Sequence, residues 1–314
     1  MPAELITKEA RVTDFARKRP RLQDLDLSPG KRARLYRLFY EHGPGGGTGM
    51  FLPIDQGLEH GPVDFFSNPD AANPQYQLEI ARRGDFSAIV FQPGIAKKHM
   101  RDYAGEVPLI VKINGKTNIP PDADAFSPLT GTVEEAVAMG ADAIGYTLYV
   151  GSPAQAEDFM QFVSVKTETD RLGMPLIVWA YPRGEAIEKK GGRDSLYAVD
   201  YAARVASELG ADVVKLNLPV FKKERMADLP KPYNELMLSP KDAMAKVCAS
   251  AGRTPVLISG GGKLSDDELL QKARECMEAG CSGLIFGRNT WQRKMHDALD
   301  ISAKLFELLR QHAE

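Results

Sequence analysis

Lys215 lies in the run Asp-Val-Val-Lys-Leu-Asn, between Val214 and Leu216. A lysine with apolar neighbours on both sides has no obvious solvent face. Burying an ammonium is costly unless the group is paired or its pKa falls. A second lysine, Lys112, stands in a similar run, Leu109-Ile110-Val111-Lys112. Two cations held close together push one toward the neutral amine. A neutral amine is the form that attacks a carbonyl to give an imine. The competing reading pairs Lys215 with Asp55 in a buried salt bridge.

Other reactive side chains end comparable runs. Asp55 follows Met50–Ile54, Tyr181 and Arg183 close a run that contains Trp179, and Asn217 follows Lys215. Beside an imine, Tyr181 can relay a proton if nearby cations lower its pKa. Asp55 can accept from a substrate hydroxyl or orient Lys215. Two glycine-bearing ends complete the set, Ser259-Gly260-Gly261-Gly262 and Gly287-Arg288-Asn289. Glycines let backbone N–H groups approach an anion, and an arginine forks onto phosphate oxygens.

These residues need a scaffold that brings run ends together. Eight short apolar runs recur: Met50–Ile54, Ala88–Phe91, Leu109–Ile113, Ala143–Thr147, Leu176–Tyr181, Val213–Asn217, Val256–Ser259 and Gly283–Phe286. Helical patterns separate them. Glu134–Met139, Ala198–Leu209 and Asp266–Ala279 each end at a glycine (Gly140, Gly210, Gly280) that suits a left-handed C-cap. Continuous apolar runs suit strands covered on both faces. Eight such units predict a (β/α)8 TIM barrel, with an open doubly wound sheet as the alternative. The barrel fold puts the reacting groups at the C-terminal ends of the strands and phosphate after strands 7 and 8.

Residues 1–48 read as an N-terminal extension and 49–314 as the catalytic barrel. Within the extension Leu22–Leu27 reads as irregular. Ser28-Pro29 opens a helix that carries Leu35, Leu38 and Phe39 and breaks at Gly43-Pro44-Gly45-Gly46-Gly47.

Composition sets the outer limits. The 314 residues are 43% hydrophobic and 26% charged, with a formal net charge of -2. No basic field points to nucleic acid, and no apolar stretch is long enough for a membrane span. The first ten residues hold no apolar run of the signal-peptide kind. Three cysteines without a Cys-x-x-Cys pair suggest a reducing, cytoplasmic compartment. His42, His99, His296 and His312 show no metal-ligand spacing with one another. Gly45-Gly46-Gly47-Thr48-Gly49 precedes a strand instead of following one, so it is not a dinucleotide loop. His60 reads equally as a phosphate contact or a loop-structuring residue. Lys189-Lys190 and Lys222-Lys223-Glu224-Arg225 read most simply as solvated charge, although either pair lies near a barrel-top loop and could help hold a second phosphate.

Together these runs resemble the archaeal-type class I fructose-bisphosphate aldolases. The resemblance rests on Asp55-Gln56-Gly57-Leu58-Glu59-His60-Gly61-Pro62, on Leu109–Gly115 and on Val178-Trp179-Ala180-Tyr181-Pro182-Arg183-Gly184. Val213-Val214-Lys215, Ser259-Gly260-Gly261 and Phe286-Gly287-Arg288 complete it, in order from about Met50 to about Ala303. It implies cofactor-free, metal-independent cleavage of fructose 1,6-bisphosphate to dihydroxyacetone phosphate and glyceraldehyde 3-phosphate, in glycolysis or gluconeogenesis. Lys215 would form the Schiff base and Tyr181 would be the acid/base. Asp55 would handle a substrate hydroxyl, and Lys112 would tune the lysine or touch the substrate. Trp179 would wall the site. Ser259, Gly260, Gly261, Gly287 and Arg288 would hold the ketose-side phosphate. The resemblance also implies a homo-oligomer, often a decamer built from rings, with a small phosphorylated sugar as its partner. The extension and Phe221–Ser239 depart from the shortest relatives, which leaves the ligands of the second phosphate open. A related lysine-dependent synthase, such as one making an aminodideoxyheptulosonate, would use the same residues. A phosphate-binding barrel without lysine chemistry would leave Lys215 in an ion pair.

Overall fold

The computed structural model describes residues 18–314. Its eight parallel strands are β1 (Gly49–Pro53), β2 (Ala88–Phe91), β3 (Leu109–Lys112), β4 (Ala143–Val150), β5 (Leu176–Pro182), β6 (Val213–Leu216), β7 (Val256–Ser259) and β8 (Gly283–Ile285). Each pairs with the next, and β8 closes on β1 through Met50 opposite Leu284. The chain is a closed (β/α)8 barrel with helices between the strands, as the recurring runs predict. Helices outside and side chains inside leave the strands no solvent face, so the sequence shows continuous apolar runs. Among the described strand residues, Tyr181 alone is not fully buried.

The two-residue period of a strand divides these side chains into an outer and an inner set. Met50, Leu52, Val111, Val178, Val214 and Ile258 pack outward in the main apolar cluster. Phe51, Val90, Ile110, Ile177, Val213 and Leu257 belong to a second cluster inside the barrel. The same parity carries the chemistry. Lys112 is two residues past Ile110, Trp179 and Tyr181 continue from Ile177, Lys215 follows Val213, and Ser259 follows Leu257. Ile110, Ile177, Val213 and Leu257 are therefore the bases on which these side chains stand, one layer nearer the strand's C-terminal end.

The bottom of the barrel is closed by the extension. Ser28 caps the helix Pro29–Tyr36 by accepting from the Lys31 amide at 3.4 Å, with Pro29 in the first turn. The helix continues as a π turn over Arg37–Glu41, where a purely α-helical course to His42 is expected from the sequence. Leu22, Leu35, Leu38 and Phe39 join the inner cluster, and Phe39 meets Phe51 edge-on at 5.6 Å. Burying each leucine contributes roughly 2 kcal/mol. Lys31 fastens the helix by reaching Asp170 at 2.6 Å and Asp212 at 2.7 Å. The stretch Leu22–Leu27, expected to be irregular, holds one 3-10 turn over Leu22–Asp24. Residues 1–17 of the expected extension lie outside the described residues.

Gly210 illustrates the helix-to-strand junction. Its φ of +94° ends the helix Leu196–Leu209, and the chain enters β6 three residues later. No helix among the described residues is long and apolar enough to cross a membrane.

Candidate active site

The C-terminal ends of the strands surround a cavity of about 450 Å³. Its lining includes Asp55, Tyr181, Lys215, Ser259, Gly287 and Arg288. Lys112 and Trp179 lie directly beneath, both fully buried. Trp179 is therefore the floor of the lysine pair and not one of the residues facing the cavity. Its ring is 5.0 Å from the Lys215 Nζ and 5.5 Å from the Lys112 Nζ, so its π face meets both cations. Gly145 makes room for this indole, because a Cβ there would stand 3.0 Å from two ring carbons.

The two lysines have opposite surroundings. Lys112 Nζ donates to Asp55 Oδ2 at 2.9 Å and to Glu59 Oε1. Burial alone would push its pKa down, but the two carboxylates reverse this and hold it above the ordinary value. Lys112 is thus a fixed cation. Among the described residues no carboxylate lies within 4 Å of Lys215 Nζ, so the expected alternative of a Lys215–Asp55 salt bridge does not form. Burial pushes Lys215 down to about 8, with the Lys112 charge adding to it and Asp55 opposing.

Asp55 is held down at about 2. Burial would raise it, and the charges of Lys112 and then Lys215 outweigh that. Its Oδ1 is buried and has no hydrogen-bond partner among the described residues. A permanently ionised oxygen in this state is an acceptor waiting for a hydroxyl.

Tyr181 corrects one expectation. Nearby cations would lower its phenol, but burial and then the Asp55 and Glu59 carboxylates push it well above its ordinary value. It therefore carries its proton at neutral pH. Its ring lies 5.4 Å from Lys215 Nζ and 5.3 Å from the Arg183 guanidinium.

The loops after β7 and β8 meet at one side of the cavity. Ser259 Oγ donates to Asn217 Oδ1 at 2.7 Å, and Asn217 Nδ2 donates to Asp194 at 3.1 Å. Gly261 has φ of +71°, and a Cβ on Gly260 would stand 2.9 Å from Asn289 Nδ2. Arg288 Nη2 donates to the Gly261 carbonyl at 3.3 Å, and Lys272 donates to the Gly260 carbonyl from behind at 2.9 Å.

Several residues in this mouth escaped the sequence reading. Tyr149 lines the cavity because β4 runs three residues beyond the expected Thr147, paired with β5 as far as Val150 opposite Pro182. Its phenol is pushed up to about 12 by burial and then by Glu59. Glu59 sits on a four-residue helix directly after Asp55, where the sequence shows only a polar motif. Asn114 has a structural task, bonding Thr147 and Ser127 backbone groups. His60 lines the cavity and bonds Asp64 at 2.8 Å. Among the described residues no cluster of three or more His, Cys, Asp or Glu side chains is arranged to hold a metal ion.

A family model described as DeoC/LacD family aldolase matches residues 49–293. The chain belongs to the DeoC/LacD aldolase family. Among curated members, the fructose-bisphosphate aldolase class 1 of Thermoproteus tenax is 40% identical over 264 residues, covering 84% of this chain and 90% of that protein. The protein of the same name from Halobacterium salinarum is 36% identical over 251 residues, covering 79% and 86%. Among solved structures, an archaeal fructose-1,6-bisphosphate aldolase has its catalytic lysine covalently bound to the carbinolamine intermediate of its substrate. That chain is 37% identical, is covered to 98%, covers 88% of this family member and superposes with a TM-score of 0.73. A fructose-bisphosphate aldolase from Slackia heliotrinireducens is 27% identical, with 90% and 89% coverage and a TM-score of 0.76. The match spans every strand of the barrel, from the residue that opens β1 to beyond β8.

Proposed function

We propose that this family member is a class I, Schiff-base fructose-bisphosphate aldolase, with Lys215 as the imine-forming residue. The observation that carries the reading is the state of Lys215: buried, without a carboxylate within 4 Å among the described residues, and held near 8 at the edge of an open cavity. The relative that carries a carbinolamine on its catalytic lysine supports it.

The residues suit a balanced sequence of steps. Neutral Lys215 attacks the C2 carbonyl carbon of the ketose, giving a carbinolamine after one proton moves from nitrogen to oxygen. Tyr181, which starts protonated, donates to the carbinolamine hydroxyl; water leaves and a protonated imine forms. The resulting phenolate then takes the C4 hydroxyl proton. The C3–C4 bond breaks, the aldehyde departs, and its electron pair passes into the imine to give an enamine. Protonation at C3 and hydrolysis release dihydroxyacetone phosphate and the free lysine. Asp55 Oδ1 accepts from a substrate hydroxyl, and the Lys112 charge adds to burial in lowering the Lys215 pKa, which enlarges the neutral fraction that attacks. Ser259, the backbone of Gly260, Gly261 and Gly287, and Arg288 hold the ketose-side phosphate. Trp179 supports the imine from below.

The reading includes a cytoplasmic homo-oligomer acting in glycolysis or gluconeogenesis. Three free, buried cysteines support the compartment. The test is a substrate panel: fructose 1,6-bisphosphate against other phosphorylated ketoses, read as triose phosphate release with and without a chelator. Release from the bisphosphate, unaffected by the chelator, is expected. Turnover of another ketose phosphate in its place would overturn the substrate, and loss of activity with the chelator would overturn the metal-free chemistry.

A further inference from the structure

Lys116, Arg183 and Arg193 converge on one carboxylate at the cavity mouth. Asp122 Oδ1 meets Lys116 Nζ at 2.9 Å, and Oδ2 meets Arg183 Nε at 3.0 Å and Arg193 Nη1 at 3.1 Å. All four line the catalytic cavity. They follow β3 and β5, on the side of the ring away from β7 and β8, whose loops hold the ketose-side phosphate in the reading above. Arg183 is four residues past Trp179 along one chain direction, about 13 Å toward the mouth. The cluster therefore faces the far end of a substrate whose carbonyl reaches Lys215.

Its charge does not balance. Three cations and one carboxylate leave an excess of two positive charges (3 − 1 = 2). Donors are also unused: Arg193 has no partner but Asp122 among the described residues, and Arg183 Nη2 has none. Asp194, another carboxylate of the lining, is engaged by Asn217. A phosphate monoester carries close to two negative charges near neutral pH and offers three oxygens to such donors. Asp122 is displaceable. Its side chain is 40% exposed, and it belongs to a three-residue turn, Asp122–Asp124, in the loop between β3 and the next helix.

We propose that Asp122 occupies, in the free protein, the place of the substrate's distal phosphate among Lys116, Arg183 and Arg193, and so sets the preference for bisphosphorylated over monophosphorylated ketoses. This rests on the aldolase reading. The carboxylate keeps the three cations ordered but must be displaced when the phosphate enters. Removing its charge strengthens capture of that phosphate without changing anything at the ketose end.

The test compares fructose 1,6-bisphosphate with fructose 1-phosphate, which lacks the distal group, as a ratio of kcat/KM values. Asp122→Asn raises the ratio about fivefold, through a lower KM for the bisphosphate, the scale expected for releasing partly exposed ion pairs. Arg193→Gln lowers it by a similar factor. An unchanged or lower ratio in Asp122→Asn, or an unchanged or higher one in Arg193→Gln, overturns the inference. Lower would mean that Asp122 organises the cations for binding and does not compete with the phosphate. Should Asp122→Asn fail to fold by its thermal midpoint, the half-exposed Arg193 variant decides alone. Wild-type protein that cleaves neither sugar defeats the aldolase reading; wild-type that cleaves both, with ratios unmoved in the variants, defeats this inference alone.

Discussion

Replacing Lys112 by methionine probes the electrostatic origin of Lys215 reactivity. The substitution keeps an unbranched apolar stem beneath the cavity and removes a charge that pushes Lys215 down. It also frees Asp55 and Glu59, which now bond Lys112, to act on Lys215 alone. Both changes raise the Lys215 pKa from about 8, while burial still opposes a full return to 10.5. At pH 7 a group with pKa near 8 is neutral in roughly one molecule in eleven, and each further unit costs about tenfold. A rise of about two units would slow imine formation about a hundredfold at pH 7. The assay is the rate of cyanoborohydride trapping with dihydroxyacetone phosphate across pH 6 to 11. Its inflection should move from about 8 to about 10, with the variant recovering most of the wild-type rate at the alkaline end. An inflection that stays in place while the amplitude falls would make Lys112 a substrate contact and refute the charge argument.

Three further outcomes follow from the same geometry. Lys215→Met abolishes cleavage and should stabilise the fold, because the unfolded lysine keeps its proton up to 10.5 while the folded one loses it near 8. The unfolded state then binds more protons between those values, so wild-type stability rises across that window and the burial cost is fully present below it. The variant should gain up to about 3 kcal/mol at pH 7 and show no such slope, read by urea titration at pH 7 and 10; equal stabilities at pH 7 would contradict this. Tyr181→Phe should slow carbon–carbon cleavage at least tenfold more than the first attack of the lysine, measured by single-turnover kinetics, and equal losses would remove the proton relay. Lys31→Met leaves the largely buried side chain of Asp212 without its cation and should cost about 2–3 kcal/mol in unfolding while sparing activity; an unchanged denaturation midpoint would show that the bottom helix is held by its leucines alone.

The barrel was legible because period and parity act locally. The run Asp-Val-Val-Lys-Leu-Asn is short, apolar and flanked by a glycine cap, so both its strand and the inward direction of Lys215 follow from its own residues. The pairing inside the site was not legible. Which lysine takes Asp55 depends on the short helix that brings Glu59 beside Lys112, and that contact joins residues 53 positions apart. Tyr149 was missed because the length of β4 is set by its partner β5 and not by its own composition. The direction of the Tyr181 shift needed the balance of Asp55 and Glu59 against Lys112 and Arg183, a sum over four groups from three separate segments. Asp122 gave no signal, since its importance comes wholly from three basic side chains that reach it from elsewhere.

The central claim is that Lys215, and not Lys112, is the nucleophile. Incubation with dihydroxyacetone phosphate and borohydride, followed by peptide mapping with mass spectrometry, tests it directly. One reduced adduct per chain on the peptide containing Lys215, absent from Lys215→Met, is the predicted result. An adduct on Lys112, or none under conditions in which the protein cleaves its substrate, would contradict the account.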